Sequence, residues 1–192
     1  PDGIDVQNLT LFCFNDFGLY IAHVEAELNP TVELRSLSGS YKAIIPEDTR
    51  IIHFVGNQNP NLYDSNMFLN RTEDEIQDDM VGASGMIIYW SRFIFNGSGS
   101  HQQQLAAANN GEGIKLIRNQ AKVSITNIDN NPYIDISGWT VTNIHAYGTT
   151  APYHSDYGFP TDGTSFVWPG DDFVTLPANR IKMSDIVDVT TK

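Results

Sequence analysis

Three of the chain's eleven Lys and Arg residues, Lys115, Arg118 and Lys122, are gathered in one run, IKLIRNQAKVSIT, from Ile114 to Thr126. Clustered cations can hold an anionic ligand. On an extended segment, however, Ala121, Val123 and Ile125 face one way and Lys122, Ser124 and Thr126 the other, so the charges need not converge. The run reads as a strand whose cations neutralise nearby acids. The run VGASGM, Val81 to Met86, places Ser84 beside a glycine, but a nucleophile elbow needs G-x-S-x-G on a strand-to-helix turn. A tight turn is the better reading. His23, His53, His101, His145 and His154 lack the H-x-x-x-H or H-E-x-x-H spacing of metal ligands and are expected as solvated or hydrogen-bonded strand residues. The acid pairs Asp78–Asp79 and Asp171–Asp172 would need a second acid across a cleft to act on a glycosidic bond. They are expected as solvated acids. No catalytic residue, metal or cofactor is expected. The triplets NLT, NRT and NGS fit the glycosylation acceptor pattern, which short polar triplets meet by chance.

The strongest local case for a ligand lies in APYHSDYGFPTDGTSFVWPGDD, which sets Tyr153, Tyr157, Phe159, Phe166 and Trp168 among acids. Aromatic faces stack on sugar rings while carboxylates accept from their hydroxyls. Tyr153, Asp156, Tyr157, Asp162 and Trp168 are therefore candidate glycan contacts, and the chain would then be a carbohydrate-binding adhesin module. The plainer reading, preferred here, is that these aromatics anchor a long loop and plug one end of the fold.

The chain has 192 residues, 41% of them hydrophobic, and a formal charge of -12. It suits one large domain, or a domain with an appendage. The charge argues against nucleic acid or an anionic membrane as partner, since phosphate binding needs a Lys/Arg surface. Cys13 is the single cysteine, so an intrachain disulfide and a cysteine metal cluster are both excluded. No apolar run is long enough for a membrane span. The abrupt start at Pro1 suggests that a leader has been removed upstream.

The elements that must position these residues read mostly as strands. In IDVQNLTLFCF, Leu9, Leu11 and Cys13 alternate with Thr10, Phe12 and Phe14, so both faces carry apolar groups, as a strand covered on both sides requires. NDFG, Asn15 to Gly18, is a turn signal before LYIAHVEAEL. YKAIIPEDTRIIHFVGN gives two extended pieces divided by Pro46, the second rich in β-branched and aromatic residues and closed by Asn57 to Pro60. Thr72 and Glu75 form the T-x-x-E pattern of a helix start, with a polar loop as the competing reading. MIIYWSRFIF, Met86 to Phe95, is a strand, and NGSGSHQQQLAAANNGEG, Asn96 to Gly113, reads as a flexible excursion. YIDISGWTVTNIHAYG is a further strand with a phase shift at Gly138, as a bulge would produce. DFVTLPANRIKMSDIVDVTTK ends in edge pairing or an extended tail. Short strands separated by turns, with one helical insertion, give an all-β chain folded as a β-sandwich.

In their order along the chain, these pieces resemble the fimbrillins, the subunits of type V pili of Bacteroidales. The run I-K-L-x-R-x-x-A-K-V-x-I-T is similar to the family's signature strand. NLTLFCFNDFGLYI looks like its opening strand and turn, YKAIIPEDTRIIHFVGN like the strand pair that follows, and SGWTVTNIHAYG like the next strand. The resemblance covers most of residues 4–148. It implies an immunoglobulin- or transthyretin-like β-sandwich over residues 1–148, with residues 149–192 as a long aromatic, acidic loop and terminal segment on the same domain. Family members usually carry two such domains, so the chain is expected to be a fragment or a shortened member. The resemblance further implies a fimbrial subunit, not an enzyme, exported as a lipoprotein precursor to the cell surface, in the fimbrium or outer membrane. Its partners would be other fimbrial subunits, joined by insertion of a donor strand, with host or bacterial surface glycans as the partners of the adhesin alternative. Leu9, Leu11, Val123, Ile125 and Val141 are expected to line the groove and core.

Overall fold

A computed structural model describes residues 6–28, 39–58, 65–77, 79–83, 87–119, 139–145, 147–150 and 186–191. Strand β1, Leu9–Phe14, pairs antiparallel with β2, Tyr20–Glu25, on one side and with β5, Ile51–Gly56, on the other. β5 pairs in turn with β7, Tyr89–Ile94, and β7 with the short β8, Ile117–Arg118. The result is one five-stranded sheet in the order β2-β1-β5-β7-β8. Three antiparallel two-stranded ladders complete the described strands. They join β3, Glu27–Leu28, to β4, Tyr41–Lys42; β6, Val81–Ala83, to β10, Tyr147–Thr149; and β9, Trp139–His145, to β11, Ile186–Thr191. Among the described residues the α-helices are few and short: α1, Ser65–Phe68, α2, Glu73–Gln77, and α3, His101–Ala107. The described residues are mostly antiparallel β-sheet, consistent with the all-β class that the strand-rich sequence predicts.

All six residues of β1 are buried, because the sheet is covered on both faces. Successive strand side chains point to opposite sides, so Phe12 and Phe14 enter one core and Leu9, Leu11 and Cys13 the other. The first core is roofed by Phe68, Ile76 and Met80 from the α1–α2 segment. The second is covered by extended chain, including Leu28, Tyr41 and Ile45, and by Leu105 of α3 with Ile114 and Leu116.

The turns follow the sequence signals closely. Asn15 Oδ1 accepts from the N–H groups of Phe17 and Leu19, and Gly18 takes a φ of 70° that costs it nothing. The β1–β2 register shifts after Cys13, so Tyr20 faces Phe14 and His23 faces Phe12. Without that bulge two residues three apart could not share a face; with it, the Tyr20 hydroxyl meets His23 Nδ1 at 2.6 Å. The Val-Gly-Asn closure of β5 also has a physical basis. A Cβ at Gly56 would stand 3.1 Å from Val6 Cγ1, and Asn57, at φ 64°, accepts from Gln7 N–H and donates to the Ile87 carbonyl.

The stretch from Asn96 to Gly113 departs from the flexible excursion expected. Ser100 Oγ accepts from Gln103 N–H while Gln103 Oε1 accepts from Ser100 N–H, a complete capping box that starts α3. Asn109 and Asn110 then turn the chain at φ 50° and 59°. A polar composition hid a helix whose start signal, S-x-x-Q, is local. The basic run is a strand only at Ile117–Arg118 among its described residues; Lys115 precedes it and pairs with Glu112 at 2.7 Å on the surface. Gly138 and Lys122 lie outside the described residues.

Candidate functional site: a buried histidine, glutamate and arginine

His53 and Arg92 are direct register partners on β5 and β7. Both lie on the face roofed by α2, whose first residue is Glu73. The helix starts there because the Thr72–Glu75 capping box forms: Glu75 Oε2 accepts from Thr72 N–H at 2.8 Å and Thr72 Oγ1 from Glu75 N–H at 3.3 Å. This sets the Glu73 carboxylate over the two strand residues. Arg92 donates to it twice, from Nε at 2.5 Å and from Nη2 at 2.9 Å, and His53 Nε2 meets Oε2 at 2.5 Å.

The imidazole is fixed from its other side as well. Trp90 Nε1 lies 3.2 Å from His53 Nδ1. An indole nitrogen only donates, so Nδ1 is the acceptor and the ring proton sits on Nε2, donated to Glu73. The Phe14 ring packs at 5.2 Å and the Trp90 ring at 5.7 Å between centroids. His53 is 1% exposed, and the side chains of Glu73 and Arg92 are 12% and 11% exposed. Burial lowers the His53 pKa and Arg92 adds to this, against the pull of Glu73 in the opposite direction. For Glu73, burial alone would raise the pKa, but the hydrogen bonds and charges of Arg92 and His53 outweigh it and hold the carboxyl down to about 2.

A ring so enclosed is held rather than presented. The arrangement ties α2 to two strands and locks one charge state: an ionised glutamate, a cationic arginine and a neutral histidine. Removing one partner from such a buried pair costs roughly 3–5 kcal/mol, because the other charge is left uncompensated.

The residues singled out from sequence are distributed as follows. Leu9 and Leu11 are buried in the second core, at 5% and 1% exposure. Val141 lies in β9 opposite Val189. Val123, Ile125, Tyr153, Asp156, Tyr157, Asp162, Trp168, Ser84, Asp78, His154 and the Asp171–Asp172 pair lie outside the described residues. Asp79 is not a plain solvated acid; it accepts from Arg71 at 2.9 Å. Among the other histidines, His23 bonds Tyr20, and His101 opens α3 with its ring 4.3 Å from that of Phe95. His145 lies in β9. Cys13 is buried, and its thiol is pushed up to about 12, chiefly by that burial.

The His53–Glu73–Arg92 cluster was missed from sequence because its members are far apart in the chain. A signal exists: His53 interrupts IIHFVG and Arg92 interrupts YWSRFIF, each a polar residue in an apolar strand. Among the described residues no three His, Cys, Asp or Glu side chains gather to hold a metal, and no helix is long and apolar enough to cross a membrane. No protein-family model, curated protein or solved structure matches the chain.

Proposed function

We propose that the chain is a structural or accessory subunit of a cell-surface fimbria, joined to its neighbours by insertion of a strand into a β-sandwich groove. The sandwich reading is supported by the β3–β4 ladder, whose Leu28 and Tyr41 pack on the second core as a facing sheet would; Tyr41 meets Phe54 edge-on at 5.8 Å. The observation that carries the assembly reading is β11. This last described strand pairs antiparallel along β9, from Ile186 opposite His145 to Thr191 opposite Trp139. A strand delivered from a distant part of the chain onto the edge of another is the geometry in which an equivalent strand from a second subunit can substitute. A donor strand that buries four or five alternating apolar side chains, at about 1.5–3 kcal/mol each, would make a lasting joint. Export as a lipoprotein precursor, to the fimbrium or outer membrane, belongs to the same proposal.

The test removes β11. A chain ending at Gly170 should melt well below the full chain and recover when a peptide of residues 173–192 is added, because a ligand that binds only the folded state stabilises it by mass action. The full chain should ignore that peptide. A truncated chain that is fully stable, and unmoved by this peptide and by candidate donor strands, would remove strand insertion as the mechanism.

A further inference from the structure

Among the described residues, the α1–α2 segment meets the sheet edge at the Leu19–Thr72 bridge and at Tyr20. Tyr20 donates its N–H to the Arg71 carbonyl at 2.8 Å and accepts from Asn70 N–H at 3.1 Å. Phe68, Ile76 and Met80 supply apolar contacts, and Glu73 supplies a buried polar one. Beneath lie the aromatic side chains of Phe12, Phe14, Tyr20 and Trp90. Among the described residues, Glu73 from α2 and Arg92 from β7 are charged groups packed against His53, while β1 contributes the Phe14 ring and β7 the Trp90 indole. The next titratable pair on this face, Tyr20 and His23 of β2, meets the cluster through Phe14, whose ring contacts both Tyr20 and His53. Within the roof itself, Arg71 is paired with Asp79.

This geometry gives His53 no room for a second proton. Protonation at Nδ1 would turn an acceptor into a donor facing the Trp90 N–H, and would place a second cation on a carboxylate already neutralised by Arg92. With the roof displaced, the imidazole meets water and titrates normally. We propose that the α1–α2 segment is an acid-released strap, with His53 as the sensor whose protonation is compatible only with the open form.

The sign follows from linkage. A histidine kept neutral in the closed form favours closure above its ordinary value of about 6.5, and that preference is lost as pH falls below it. From pH 7.5 to 5.5 the open population should rise about tenfold, the ratio of the protonated-plus-neutral sums at the two pH values for a free imidazole. Glu73 does not contribute in this window, since a free carboxyl titrates near 4.3.

The experiment is amide hydrogen exchange on the full chain at pH 7.5 and 5.5, corrected for intrinsic rates. The N–H groups of Ile76 and Met80, bonded to the Thr72 and Ile76 carbonyls, report the strap, and those of β1 report the sheet. Strap opening should increase about tenfold at the lower pH with β1 unchanged; His53→Asn should abolish the increase and His23→Asn should retain it. An unchanged wild-type strap, or an equal response in His53→Asn, overturns the proposal. Should His53→Asn fail to fold, nitrogen NMR of the wild-type His53 ring decides. The ring should charge only in step with strap opening, and an imidazolium formed while Ile76 and Met80 stay protected rejects the strap.

Discussion

The two faces of the central sheet are made by the same strands yet sealed by different means. One carries aromatic rings around a buried ion pair and is roofed by two short helices. The other carries Leu9, Leu11, Cys13, Ile52, Phe54, Phe93 and Phe95, and is covered by extended chain and the flank of α3. An apolar seal is non-directional, so it tolerates small shifts of its cover. A seal that depends on Glu73 meeting both Arg92 and His53 holds its cover in one position and in one charge state. The first face is therefore the more conditional, although both are buried.

The largest effect is expected from Glu73→Ala. It should cost roughly 3–5 kcal/mol in urea unfolding, and Glu73→Gln combined with Arg92→Met should lose much less, because no charge is stranded and the Gln side-chain carbonyl can still accept from His53 Nε2. A simple sum of two single losses would mean that the ion pair is not the tie described. On the second face, Leu11→Ala should cost about 2–5 kcal/mol through its cavity, with no rescue from any charged partner.

Acidity should separate the faces next. Glu73 has its pKa depressed to about 2, so its stabilisation is present above the ordinary carboxyl value and is lost as pH falls from about 4.5 towards 2. Unfolding midpoints across that range should fall less steeply in Glu73→Gln than in the wild type, whereas Leu11→Ala should keep the wild-type slope. The smallest effects concern the two capping boxes. Thr72→Ala should cost about 1 kcal/mol, since its helix carries Glu73 and Ile76 into the roof. Ser100→Ala should shift the global midpoint less, because α3 has no fully buried residue; loss of helical signal without a midpoint change would be seen by circular dichroism.

Much of the fold is legible in local pattern. The double-sided apolar character of LTLFCF gives a strand covered on both faces, and NDFG gives its turn. The T-x-x-E pattern gives the start of α2 because a capping box is complete within four residues. What resisted reading is whatever depends on register. His53 and Arg92 become neighbours only when β5 and β7 align, and neither residue alone distinguishes a solvated side chain from a buried partner. Helix α3 is a different case: its start signal, S-x-x-Q, is local, but the low apolar content of Asn96 to Gly113 masks it.

Strand β1 also carries a liability that the finished molecule conceals. Six residues, uncharged and without proline, form the kind of short β-prone window that associates with its own copies when its edges are bare. The turn at Asn15–Gly18 brings β2 against one edge soon after β1 is made, but the other edge has no partner until Ile51–Gly56 has followed. Asn8 on one side, and Asn15 and Asp16 on the other, flank the window with polar groups that discourage stacking in the interval. Slowing the arrival of β5 would therefore favour clumping of the nascent chain, even where the mature protein stays as stable as before.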